Sequence, residues 1–240
     1  MFSRSWRGWV FNDLPESRQR KIRNRSIRGI VLNENADEQA RFDIFDRINT
    51  GSKIANKAEV RRGALVGPFL DLIIALSKDE TFVELAPVTD AALNLREREE
   101  LVTRFFAYGD GLEGYKDRPA DFLFKYAKAM TERFGQKPEL VEEYGERFNR
   151  TMQFCKKVFP LGFRTTAKST KTYRTRFEAL AVGTQLAIAA EPDLLNKSPD
   201  VQDWISSDDF QALTKSGGAN PIRSLRDRIN YVRDKLLGAA

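Results

Sequence analysis

The chain has 240 residues, 41% hydrophobic and 31% charged, a balance that suits a globular protein with a sizeable core and excludes wholesale disorder. It has no histidine and a single cysteine, Cys155, which together exclude Ser-His-Asp and Cys-His catalysis, histidine-ligated zinc, CxxC metal sites and an intramolecular disulfide. The net charge of +6 is unevenly spread: residues 1–62 carry 14 Lys/Arg against 8 Asp/Glu, residues 63–145 carry 10 against 16, and residues 146–240 carry 16 against 10.

Residues 11–24 are predicted as a helix entered through Asn12-Asp13, with Pro15 near its first turn. Ile27, Ile30, Val31 and Leu32 form the best strand candidate, a short β-branched run. Asp37 can cap a second helix, along which Phe42, Phe45 and Ile48 recur every three residues, and Asn49-Thr50-Gly51 can end it. A third helix is expected from about Asn56 through Glu59, Arg61 and Leu65. Beyond residue 63 almost everything reads as helix. Phe69, Leu72, Ile73 and Leu76 share one apolar face, Leu95 to Tyr108 gives another, and Phe122, Leu123, Tyr126 and Ala127 follow a loop from Gly109 to Pro119. Leu140 to Val158 is a long basic helix, Ala179 to Ala190 a buried one, and Ser224 to Leu237 a terminal amphipathic one, after a loop at Ser216 to Pro221. The longest apolar run, Gly63 to Leu76, is interrupted by Pro68 and Asp71 and falls short of the roughly 18 residues of a membrane span. Nothing at the N-terminus resembles a secretory signal, so a cytoplasmic setting without membrane is expected. The expected fold class is mainly α: a small strand-bearing segment over residues 1–62 and a helical domain over 63–240.

Two basic clusters lack acidic residues. One comprises Arg18, Arg20, Lys21, Arg23, Arg25 and Arg28. The other runs from Arg147 to Arg176, with nine basic residues interleaved with Phe148, Phe154, Phe159, Phe163 and Tyr173. Such a pattern points to DNA or another polyanion, with contacts mainly to phosphate, and Lys156, Lys157, Lys168 and Lys171 are the candidate contacts. The competing expectation is an internal clasp, in which these cations pair with the acidic middle of the chain.

Asn49-Thr50-Gly51 has two readings. It can be a helix C-cap, or a corner where the Asn49 amide binds a phosphate or an oxygen-coordinated metal with Arg47, Arg61 and Arg62 supplying charge. Glu97, Glu99 and Glu100 fit the charged first turn of a helix better than a catalytic carboxylate pair. Asp110-Gly111-Leu112-Glu113-Gly114 lacks calcium-loop spacing and reads as a turn. Cys155 is expected to be an inert buried thiol. Trp6 and Trp9 are either partner-facing or core residues.

The stretch Phe45-Asp46-Arg47-Ile48-Asn49-Thr50-Gly51, followed by Ala58-Glu59-Val60-Arg61-Arg62-Gly63-Ala64, resembles the FxxxN and Glu-hydrophobic-Arg signature of the GmrSD restriction endonuclease N-terminal domain family. Phe11 to Pro15, Arg96 to Tyr108, and Arg174-Thr175-Arg176-Phe177-Glu178-Ala179 are supporting matches, so the resemblance covers roughly residues 8–235. It implies a ParB- and sulfiredoxin-like remnant in residues 1–62, with Asn49 at a nucleotide site and Arg47 in support. Phe45 and Gly51 belong to the same motif, and Glu59 and Arg61 hold the corner in shape. A nucleoside triphosphate with Mg²⁺ is the implied cofactor. The family's second signature, a DGQQR-type turn, has no counterpart here, and its frequent HNH nuclease needs the histidine this chain lacks. The resemblance therefore implies a truncated or split restriction or defence module, inactive alone. Its partners would be DNA and a polypeptide carrying the DGQQR half. The rival expectation is a non-catalytic interaction or regulatory protein. A stand-alone enzyme of unrelated mechanism ranks last, since no phosphate-cradling glycine loop is present.

Overall fold

Among the described residues, the long periodic stretches of the sequence form helices. A computed structural model describes residues 10–26, 57–215 and 221–238. The chain divides into two compact units, Met1–Asp37 and Glu38–Ala240, whereas the change in charge sign falls near residue 62. The strand candidate at Ile27–Leu32, the helix from Asp37, Trp6, Trp9 and the motif residues Phe45, Arg47, Asn49 and Gly51 lie outside the described residues.

In the first unit, a 3-10 turn at Phe11–Asp13 precedes helix α1, Glu16–Arg23. Pro15 stands at its N-cap and Glu16 pairs with Arg20 one turn on. No side chain of α1 is buried.

The described residues of the second unit form a series of helices. These are α2 (Lys57–Ala64), α3 (Pro68–Leu76), α4 (Glu80–Leu85), α5 (Asp90–Asn94), α6 (Glu97–Gly109), α7 (Pro119–Gln136) and α8 (Leu140–Val158). They continue with α9 (Arg174–Phe177), a π-helical segment (Glu178–Val182), α10 (Gly183–Ala190), α11 (Gln202–Ile205), α12 (Asp208–Thr214) and α13 (Ile222–Leu236). Among the described residues there is no strand, and no helix is long and apolar enough to cross a membrane. The mainly α expectation therefore stands. Helix α8 has the bounds its periodicity predicts, and Phe69, Leu72, Ile73 and Leu76 of α3 are all buried as their spacing requires. The short helices α4, α5 and α12 depend on their caps instead: Asp79, Thr89 and Ser207 accept from the backbone N–H groups of Phe82, Ala92 and Phe210.

Helix α6 is the axis of this unit. Every residue from Glu99 to Tyr108 is buried, which requires neighbours on all sides, and α2, α3, α5, α7 and the π segment pack around it. Its Phe105 meets Phe148 of α8 edge-on at 5.1 Å, and Phe148 meets Phe82 at 5.4 Å. Phe177 joins this ring cluster through Phe82 and Phe163. Each fully buried phenylalanine contributes about 1.5–3 kcal/mol of transfer free energy. Where α6 ends, Asp110 accepts hydrogen bonds from the Tyr126 and Tyr144 hydroxyls and pairs with Arg147 at 2.7 Å. One carboxylate thereby ties α6, α7 and α8 together.

Gly183 is where α10 comes closest to α13. A Cβ there would lie 2.7 Å from the Ile229 carbonyl oxygen and 2.8 Å from Val232 Cβ, so only glycine allows the approach.

Candidate functional site

Glu100, Arg104 and Tyr108 recur every four residues and so stand on one face of α6. From that face a chain of buried charges crosses the unit. Arg61 of α2 donates to Glu100 Oε2, and Arg104 pairs with Glu100 Oε1 at 2.9 Å. Arg104 also donates to Glu178 Oε1 at 2.6 Å, and Glu178 Oε2 accepts from Arg228 of α13 at 2.9 Å. Glu178, only 1% exposed, opens the π-helical segment, a local irregularity often found at functional sites. Two flanking pairs are more exposed: Arg62 with Glu99 at 2.6 Å, and Arg174 bidentate on Glu97 with both bonds at 2.6 Å.

A cavity of about 420 Å³ opens beside this chain. Its charged lining is Arg104, Arg174, Arg228 and Lys171 against Glu97 and Glu178, with the rings of Tyr108, Tyr115 and Tyr173 between them. Arg104 donates to the Tyr108 hydroxyl oxygen at 3.1 Å, leaving that O–H free to donate onward. The Lys171 ammonium lies over the Tyr173 ring at 4.5 Å and has no carboxylate partner among the described residues. In the same wall the buried Thr172 hydroxyl has no hydrogen-bond partner.

Electrostatics fix the protonation state of Glu100, Tyr108 and Tyr115. Burial alone would raise the Glu100 carboxyl; the Arg61, Arg104 and Arg174 charges and the Arg61 hydrogen bond outweigh it and hold it at about 2. Burial and the Glu178 charge push the Tyr108 hydroxyl well above its usual range, and the same causes lift Tyr115 to about 12. At neutral pH Glu100 is therefore ionised and both tyrosines are protonated, which excludes them as general bases. Among the described residues no group of three or more Asp, Glu or Cys could hold a metal ion.

The sequence candidates are distributed as follows. Arg61 is buried in the ion-pair chain, and Glu59 lies half-buried in the first turn of α2. Lys156 pairs with Glu84 at 2.6 Å, and Lys157 donates to the Lys197 carbonyl at 2.7 Å; both lysines are exposed. Lys168 and Lys171 are also exposed, on the segment between α8 and α9. The interleaved Phe148, Phe154, Phe159 and Phe163 are core residues, so only Tyr173 of that series reaches solvent. Three of the nine cations between Arg147 and Arg176 pair with carboxylates of the acidic middle: Arg147 with Asp110, Lys156 with Glu84 and Arg174 with Glu97. Glu99 and Glu100 do more than charge a first turn, because both are buried partners of arginines from α2. Burial pushes the Cys155 thiol up to about 12, as an inert cysteine requires.

Sequence reasoning passed over the chain from Glu100 to Arg228. The four-residue spacing of Glu100, Arg104 and Tyr108 was a usable local signal. Glu178 gave only its place in the Arg-Phe-Glu stretch and Arg228 gave none, since their partners come from other helices. No protein-family model, curated protein or solved structure matches the chain.

Proposed function

We propose that the chain is a GmrSD-like module of a cytoplasmic, DNA-directed restriction or defence system. It contributes one half of a nucleotide site through Asn49, with Arg47 in support, and associates with DNA or with a partner subunit carrying the other half. The observation that carries this reading is the anchoring of α2, the helix that follows the Asn49 motif in sequence. Arg61, from the Glu-x-Arg stretch singled out by the resemblance, is buried against Glu100, and its neighbour Arg62 is paired with Glu99. A buried, hydrogen-bonded ion pair fixes position more than it adds stability, as a motif that must present an amide at a set place requires. Bound nucleotide would bring Mg²⁺ on its phosphates, the usual mode for this ion.

The test is nucleotide binding and hydrolysis by the purified chain, alone and with a polypeptide carrying a DGQQR-type turn. Turnover is expected only in the mixture and is lost in Asn49→Ala. Turnover by the chain alone, above all turnover that disappears in Asn49→Ala, would overturn the reading of a half-site.

One observation favours a second reading, a non-catalytic interaction or regulatory protein: the basic stretch commits Arg147, Lys156 and Arg174 to internal pairs. Under that reading the mixture forms a complex without hydrolysis.

A further inference from the structure

Four arginines are deeply buried among the described residues: Arg61, Arg104, Arg176 and Arg228. Three of them face carboxylates. Arg176 does not. It is 5% exposed, its Nε has no hydrogen-bond partner, and its guanidinium lies over the Phe210 ring at 5.0 Å. Among the described residues it has no ion pair. Burial without a compensating charge lowers its pKa to about 10. A buried cation without a counter-charge is destabilising, and a strongly perturbed group in a cleft is a candidate for a ligand that supplies the missing charge.

Arg176 lines a second cavity of about 560 Å³, on the side of α9 where α11 and α12 pack. Lys215 contributes a second cation to its lining, Thr165, Thr166 and Gln202 contribute donors, and no Asp or Glu lines it. Leu161, Ile205 and the Tyr173 ring form its apolar wall. Two cations without a carboxylate match the double negative charge of a phosphate monoester, and the hydroxyl and amide donors suit its three terminal oxygens. The volume far exceeds a bare phosphate and falls within the range of small-molecule sites, while the apolar wall suits a flat organic group.

We propose that this cavity binds a phosphate monoester of about mononucleotide size, with Arg176 and Lys215 supplying the charge that holds its phosphate. The site shares no residue with the nucleotide site proposed at Asn49 and does not depend on it.

The test is thermal unfolding of the full chain at constant ionic strength with adenosine monophosphate, inorganic phosphate or adenosine. Adenosine monophosphate at a hundredfold excess over its Kd is expected to raise Tm by about 5 to 10 °C. Inorganic phosphate is expected to act only at higher concentration, and adenosine not at all. Arg176→Met should abolish the shift, and Lys215→Glu, an exposed substitution, should weaken binding about tenfold or more. Asn49→Ala should leave the shift intact, which separates this site from the other. If Arg176→Met fails to fold, Lys215→Glu decides. No shift with adenosine monophosphate, a shift equalled by adenosine or by inorganic phosphate at the same concentration, or an undiminished shift in Lys215→Glu would each overturn the proposal.

Discussion

Arg104 donates to Glu178 at 2.6 Å across 74 residues of sequence, and this hydrogen bond joins the central helix α6 to the π-helical segment. Glu178 is shared with Arg228, so a single carboxylate balances guanidinium groups from two helices. Removing it costs more than a hydrogen bond, because it leaves charge buried beside a neutral group.

Glu178→Gln should therefore destabilise the protein by about 3–5 kcal/mol. Urea unfolding measures this as a lower midpoint. Adding Arg228→Met to the same protein should recover part of the loss, since the cation left beside the amide is then gone. A loss within the roughly 0.5 kcal/mol of ordinary surface changes would show that the chain of charges is dispensable.

Glu100 makes stability depend on pH in a defined window. Its carboxyl lies at about 2 in the fold against an ordinary value of 4.5. Between those values the unfolded chain binds the proton and the folded one does not, so the contribution of Glu100 is complete above about pH 4.5 and disappears as the pH falls to about 2. Glu100→Gln should be less stable at pH 7 and lose less stability over that acid interval than the parent. Identical acid slopes for the two proteins would contradict this assignment.

Gly183→Ala tests the close approach of α10 to α13. The new methyl would sit 2.7 Å from the Ile229 carbonyl oxygen, a main-chain atom that moves only with its helix. Overpacking of this kind typically costs about 1–3 kcal/mol, against the small gain that alanine brings to an ordinary helix position. Calorimetry should show a lower Tm; an unchanged or higher one would mean the two helices separate at no cost.

The exposed lysines distinguish a DNA surface from an internal clasp. Reversal of Lys156, Lys157 and Lys168 to Glu should weaken binding to all DNA sequences alike. It should also flatten the plot of log affinity against log salt by about 0.9 for each phosphate that is no longer neutralised. Thermal stability should change little, because Lys156 and Glu84 are both largely exposed and such pairs contribute about 0–1 kcal/mol. Unaltered DNA binding with a clearly lower Tm would assign these lysines to the clasp.

The sequence alone determined the long helices. Leu140 to Val158 and the buried face of Phe69, Leu72, Ile73 and Leu76 follow from periodicity, because a 3.6-residue repeat is a local property that any core will read in the same way. It also determined that the chain offers no histidine for catalysis, and its expectation of a buried thiol at Cys155 agrees with the structure. Helices of four to seven residues, such as α4, α5 and α12, were not legible, since they span too few turns to show a period and depend on a cap and on neighbours. The fate of each charge was decided only by the tertiary structure. Arg174 and Arg176 are two residues apart in one basic run, yet one is bidentate on Glu97 and the other is buried over Phe210 without a carboxylate. Successive positions on a helix point about 100° apart, so two nearby arginines face different neighbours. Which carboxylates those neighbours bring depends on how distant helices pack, and no local pattern records it.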